Sequence, residues 1–303
     1  MLNVEFPLML RRLCFLTMAL LLLGLPLRAQ DDLMDLLDEI EEPTTDYAFA
    51  TFKTVRLINS HTIEMSAEGV LTLIIAHRFG RINGGAYEFF GLDQANMRLG
   101  FEYGVFPWLN VGVGRSNINK TYDGFLKVRL LRQSSGARTF PFTVSAVSAL
   151  QLNSLRWADP ARINYFSSRL SYSHQLLIAR KFNERLSLQL MPTMIHRNLV
   201  ATPEAQNDVF ALGVGGRVKL SPSVTLNAEY YYLLPGHTAD NFQNSLSIGF
   251  DIETGGHVFQ LMFTNSVGMT ENLFVAQTDG QWGEGDIHFG FNLTRVFTTG
   301  TPW

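Results

Sequence analysis

The chain has 303 residues, 46% of them hydrophobic and 17% charged, with a formal net charge of −3. Its one cysteine, Cys14, falls in an N-terminal export segment, so the mature chain lacks a thiol for a disulfide, a cysteine nucleophile or a cysteine-ligated metal. Charge is uneven: residues 31–46 carry eight acids and no base, whereas residues 47–303 carry 21 basic and 18 acidic residues.

Residues 1–30 form the pattern of a signal peptide. Arg11 and Arg12 supply the positive start, residues 13–25 the apolar run, and Ala29 a small residue at the expected cleavage point near Ala29 or Gln30. The run of roughly 13 residues is shorter than the ~20 needed for a spanning helix. No later stretch holds 18 consecutive apolar residues, so any membrane span after residue 30 has to be built from strands.

Residues 31–46 form an acidic N-terminal extension. Leu33, Leu36, Leu37 and Ile40 fall on one face of a short helix stopped by Pro43. This segment is expected to be either an amphipathic helix outside the barrel, with a plugging or partner-docking role, or a solvated acidic tail.

From about residue 47 the pattern switches to period two. Met97, Leu99, Phe101, Tyr103 and Val105 alternate with Asn96, Arg98, Gly100, Glu102 and Gly104. The same rule holds for Leu170 to Lys181, for Leu186, Leu188 and Leu190 against Ser187 and Gln189, and for Phe289, Phe291 and Leu293 against Gly290, Asn292 and Thr294. About twelve such segments, within a range of 10–14, have the length of tilted membrane strands. The expected architecture is an all-β, antiparallel, up-and-down transmembrane β-barrel over residues 47–297, followed by a C-terminal tail, residues 298–303.

A soluble β-sandwich alternates too, but three features favour the barrel. The polar face carries charges and glycines at mid-strand. Aromatic residues, among them Tyr87, Phe89, Phe90, Phe106, Trp108, Phe140, Phe142, Tyr230, Tyr231 and Tyr232, crowd strand ends as an interfacial girdle would. The last segment, IHFGFNLTRVF, ends on Phe297, the kind of terminal strand expected to engage the barrel-assembly machinery. Short turns at residues 182–185, 221–223 and 254–256 alternate with longer polar loops at residues 80–93, 152–165, 198–207, 235–241 and 266–285. That alternation marks the periplasmic and extracellular ends, and an even strand number keeps both termini periplasmic.

Read in order, HRFGRING, FGLDQANMRLGFEYG, YDGFLKVRLLRQ, QLLIARKF and DIETGGHVFQLMFTNS resemble an uncharacterised family of bacterial outer-membrane β-barrels, a domain of unknown function, over about residues 45–297. The resemblance implies the fold, the bacterial outer membrane as location and the lipid bilayer as partner. It implies no substrate and no catalytic residue.

Turning the polar face inward places Arg98, Glu102, Lys127, Arg129, Arg169, Lys181, Arg185, Arg217, Lys219, Glu229, Asp251, Glu253 and His288 in the lumen. Bases outnumber acids there, so the interior is expected either to hold or pass a small anionic solute, or to be a network of paired charges filling a narrow barrel. Asp251, Glu253 and His257 flank the Gly255-Gly256 turn and could offer metal ligands, or the acids could answer arginines such as Arg217. His77, His174, His196, His257 and His288 are scattered, and no motif joins a histidine to a serine and an acid as an outer-membrane hydrolase would need. No basic helix suggests nucleic acid, and no cofactor is expected. The functional expectation is a narrow pore or ligand-binding barrel, with a plugged barrel that presents its loops or acidic tail to partners as the competing class and an outer-membrane hydrolase as a third, lesser alternative.

Overall fold

The computed structural model describes residues 44–299. The expected signal peptide, nearly all of the acidic extension with its expected amphipathic helix, and residues 300–303 lie outside the described residues.

Twelve antiparallel strands close into a barrel. They are β1 (Val70–Arg81), β2 (Ala95–Phe106), β3 (Leu109–Ser116), β4 (Tyr122–Leu131), β5 (Thr143–Leu152), β6 (Leu170–Lys181), β7 (Leu186–Arg197), β8 (Asp208–Lys219), β9 (Val224–Leu233), β10 (Ser245–Thr254), β11 (His257–Thr264) and β12 (His288–Thr298). Each pairs with its sequence neighbour, and β12 closes on β1 with Phe297 opposite Leu71 and a register shift between His288 and Gly290. Closure leaves no unpaired strand edge, the condition for a sheet to lie in hydrocarbon.

The burial pattern is that of a globular protein turned inside out. On β2, Met97, Leu99, Phe101 and Tyr103 face outward while Arg98 and Glu102 are buried. The same inversion holds on β8, where Phe210, Leu212 and Val214 are exposed and Arg217 is buried. Lipid contact on one face and an enclosed interior that admits polar and charged side chains on the other account for it.

Two connections depart from the simple alternation of short turns and long loops. Residues 117–121 make a brief turn at the long-loop end, and residues 132–142 make an extended connection at the short-turn end that holds a small strand, Ser134–Gly136. Tyr231 also departs from the girdle expectation. It is 0% exposed inside the barrel, because β9 turns Asn227, Glu229 and Tyr231 inward and Tyr230 and Tyr232 outward.

The barrel wall starts at Val70, not near residue 47. The alternation of residues 51–66 belongs instead to a hairpin that lies inside the barrel, where Phe52, Val55, Leu57, Ile58 and Ile63 are all buried. Its turn is closed by Leu57 N–H donating to Ser60 O at 2.9 Å and Thr62 N–H donating to Val55 O at 3.0 Å. Period two is the signature of extended backbone wherever it lies, so it marks a luminal hairpin and a wall strand alike.

Candidate functional site

The hairpin enters and leaves the lumen through the short-turn end. On the way in, Ala50 O accepts from Arg217 Nη1 at 3.0 Å, and Lys53 Nζ donates to Pro222 O at 2.9 Å and pairs with Glu253. On the way out, Glu64 O accepts from Lys127 Nζ at 2.7 Å, and Gly69 N–H donates to Gly104 O at 2.9 Å just before β1 begins. Close approach at that exit explains Gly104. A Cβ there would sit 2.0 Å from Ala67 O and 2.5 Å from Ser66 O, so only glycine lets the returning chain touch the wall.

Polar side chains of the wall grip the hairpin by its main chain. Gln189 clasps one arm with both ends of its amide, donating to His61 O at 2.8 Å and accepting from Ile63 N–H at 3.0 Å. Gln260 donates to Leu57 O at 2.8 Å, and Asn292 to Ile58 O at 2.8 Å. At the tip, Glu229 accepts from the N–H groups of Asn59 and Ser60 at 2.8 and 3.1 Å and from Ser60 Oγ at 2.5 Å. The Asn59 amide bridges Arg78, which donates at 2.8 Å, and Ser247 Oγ, which accepts at 3.0 Å. Buried main-chain groups need such partners, since each left unpaired costs about 1–3 kcal/mol.

The other side of the hairpin is apolar. Phe52, Leu57 and Ile63 join Val147, Leu177, Met191 and Ile195 of the wall in one cluster. Phe274 and Val275 complete it from the connection between β11 and β12. That connection, residues 265–287, folds into the barrel from the long-loop end and includes a helical turn, Glu271–Phe274. Phe274 meets Tyr231 edge-on with ring centroids 5.5 Å apart. The hairpin and the inward loop touch where Glu271 pairs with Arg56 at 3.4 Å and stands 3.5 Å from His61 Nε2.

The loop is fastened at its far end by Asp286. Its carboxylate accepts from Asn83 Nδ2 and Arg81 Nη1, each at 2.8 Å, and from Gln281 N–H at 3.2 Å. The Asn83 and Gln281 hydrogen bonds, with Arg81 adding to them, hold this carboxyl below the usual carboxylate range.

The expected lumen charges fall into four sets, with Lys127 in two of them. Lys127 and Glu102 pair at 2.8 Å, both fully buried, and Arg98 pairs with Asp123 through Nε at 2.9 Å. Lys127, Arg217, Glu229, Glu253 and Lys181 touch the hairpin or the chain leading into it, Lys181 through Phe49 O at 3.2 Å. Asp251 accepts from Gln260 at 2.9 Å, and His288 Nδ1 lies 2.7 Å from Phe79 O. The remainder stand at the ends: Arg129 reaches Pro107 O, Arg169 reaches Asn153 O, Lys219 closes β8 and Arg185 is exposed in a turn.

Asp251, Glu253 and His257 are not brought together as a ligand set, because Asp251 answers Gln260, Glu253 answers Lys53 and His257 lies beside Phe259. Arg217 is bonded to Ala50 O, and Gly255 and Gly256 make the turn with φ of +44° and +99°. Ser148 Oγ and His174 Nδ1 come within 3.1 Å, but on the outward face of the wall.

Sequence reasoning missed Arg78, Gln189, Gln260 and Asn292 on the wall and Arg56, Asn59, Ser60 and Glu271 in the hairpin and the inward loop. The alternation turns Gln189 and Asn292 inward, but neutral amides carry no charge to mark them out among the inward side chains. Arg78, 1% exposed, was hidden because its inward neighbours Ile74 and Ala76 are apolar.

Among curated proteins, none matches the chain. In fold it is similar to the NanC porin, at 8% identity and a TM-score of 0.48 over 75% of this chain and 98% of that one. It is also similar to the KdgM porin, at 10% identity and a TM-score of 0.47 over 75% and 99% of the two chains. The outer membrane channel from Pseudomonas putida F1 titled COG4313 follows at 12% identity and 0.46 over 77% and 96%. The family described as a membrane bound beta barrel domain, DUF5777, matches residues 52–297, a span that takes in the luminal hairpin as well as the wall. The chain therefore belongs to this family of membrane-bound β-barrels.

Proposed function

We propose that the protein is a gated barrel of the bacterial outer membrane, closed at rest by its own N-terminal hairpin and serving as a conduit for a small solute when the hairpin withdraws. The observation that carries this reading is topological. Both arms of the hairpin pass through the same end of the barrel, so it can leave as a unit without breaking a strand or threading the wall. Its grip is mostly hydrogen bonds to polar side chains, which water can replace as the hairpin leaves. Twelve strands leave a narrow interior, which limits any solute to a small one.

A second reading, a permanently plugged scaffold that presents its loops or acidic tail, draws on the packing of Phe52, Leu57 and Ile63 against the apolar half of the lumen. Locking the hairpin separates the two. The side chains of Asn59 and Ser247 meet at 3.0 Å, so a cysteine at each position can be bridged by a short bis-thiol cross-linker in a mature chain that otherwise lacks cysteine. Planar-bilayer recordings should show gating events in the unlinked protein that vanish on cross-linking. Identical silence in both states, with the cross-link formed, supports the scaffold.

A further inference from the structure

At the long-loop end the barrel opens into a cavity of about 420 Å³, floored by the inward loop at Thr270 and Leu273. Its volume lies within the range of small-molecule sites, roughly 300–1,000 Å³. Two arginines line it, Arg169 and Arg197, with His237, side-chain amides such as Gln151 and Asn241, and hydroxyls such as Thr202. Among the described residues no carboxylate lines this cavity. Glu204 and Asp240 of the neighbouring loops are exposed and stand outside the lining, and Glu271, which accepts from Gln151 of the lining at 3.1 Å, is answered by Arg56 on its other side at 3.4 Å.

The arginines keep their charge uncompensated. Arg197 Nη2 donates to Gln206 O at 2.6 Å and to Thr238 Oγ1 at 3.2 Å, while its buried Nε has no partner. Arg169 donates to Asn153 O at 2.8 Å and lies over the Trp157 ring at 3.8 Å. Both are held by neutral oxygens or an aromatic face. Charge of one sign in a recess with low-dielectric walls focuses potential on its opening. Guanidinium groups favour carboxylates through paired charge-assisted hydrogen bonds, and the surrounding amides and hydroxyls suit a solute rich in hydroxyl groups.

We propose that this vestibule is a binding site for a small carboxylated polyol, a solute of single-sugar size that presents one carboxylate and several hydroxyls. The vestibule is formed with the hairpin seated, so binding here and withdrawal of the hairpin are separate claims with separate readouts.

Calorimetric titration of the mature chain in detergent tests it, with gluconate as probe, sorbitol as the neutral analogue and acetate as the carboxylate without hydroxyls. Gluconate should bind saturably, and sorbitol and acetate at least about tenfold more weakly. Arg197→Gln should weaken gluconate binding by about tenfold or more. Because that variant also releases Gln206 and Thr238, Ala201→Glu serves as a second test. It adds a carboxylate to the exposed lining without removing a hydrogen bond, and it should weaken gluconate while leaving heat-modifiable gel migration intact. Absence of saturable gluconate binding, equal binding of sorbitol or acetate, or wild-type affinity in Ala201→Glu would overturn the proposal.

Discussion

Glu229 on the inner wall holds Ser60 at the tip of the luminal hairpin by two hydrogen bonds, from the main-chain N–H at 3.1 Å and from Oγ at 2.5 Å. The same carboxylate also accepts from Asn59 N–H at 2.8 Å, so one wall side chain caps the whole turn. Replacing it by alanine leaves two buried N–H groups without an acceptor. Glu229→Ala should destabilise the seated hairpin by about 1–3 kcal/mol, and Glu229→Gln by less, since one acceptor oxygen remains. Protease cleavage within residues 51–66 should be rapid in the alanine variant, intermediate in the glutamine variant and slow in the wild type.

Gly104 gives a steric test of the hairpin's exit. Gly104→Ala would force a methyl group against the main chain of Ser66 and Ala67, which is backbone and cannot rotate away. Overpacking of this kind costs about 1–3 kcal/mol. Thermal unfolding in detergent should fall by several degrees, whereas Gly124→Ala, whose added Cβ would have its nearest neighbour at 3.7 Å, should stay near wild type.

Lys127 and Glu102 form a fully buried pair at 2.8 Å, with Lys127 also donating to the hairpin at Glu64 O. Breaking the pair from one side strands a charge in the interior. Lys127→Met alone should cost about 3–5 kcal/mol, and Lys127→Met combined with Glu102→Gln should recover a large part of it. Denaturant unfolding of the two variants measures the difference; equal stability would show that the pair does not constrain the fold.

Asp286 ties the inward loop to Arg81 and Asn83 at the long-loop end. Its folded carboxyl titrates below the unfolded one, so its contribution is present above the ordinary carboxylate range and is lost as pH falls through the depressed folded value. The loop should therefore stay fastened from neutral pH down to about 4 and loosen below it. Trp282, whose indole N–H donates to Leu246 O at 3.0 Å, reports on the loop from within. Its fluorescence, taken as the difference from Trp282→Phe, should change below that pH in the wild type. Asp286→Asn should lack this transition.

The wall was legible in the sequence because each strand is half lipid-facing. Residues such as Met97, Leu99 and Phe101 can alternate with Arg98 and Gly100 only if one face meets hydrocarbon and the other does not. The lumen was legible only in part. Alternation says that Glu229 and Gln189 point inward, but not that they meet Ser60 and His61, residues 169 and 128 positions away in sequence. The hairpin is indistinguishable from wall in the sequence because extended backbone alternates in either place, and its turn, Leu57-Ile58-Asn59-Ser60, lacks the glycine that marks Gly255-Gly256. Glu271 could not be singled out from sequence. It lies in a polar loop, and its role arises from folding back into the barrel to reach Arg56.

Single-channel recording of the mature protein in a planar bilayer, comparing wild type with Glu229→Ala, tests the gate most directly. The wild type should be closed nearly all the time, and the Glu229→Ala variant, still heat-modifiable on gels, should open in discrete steps far more often. A folded Glu229→Ala barrel as silent as the wild type, or a wild type that conducts steadily with the hairpin seated, would contradict it.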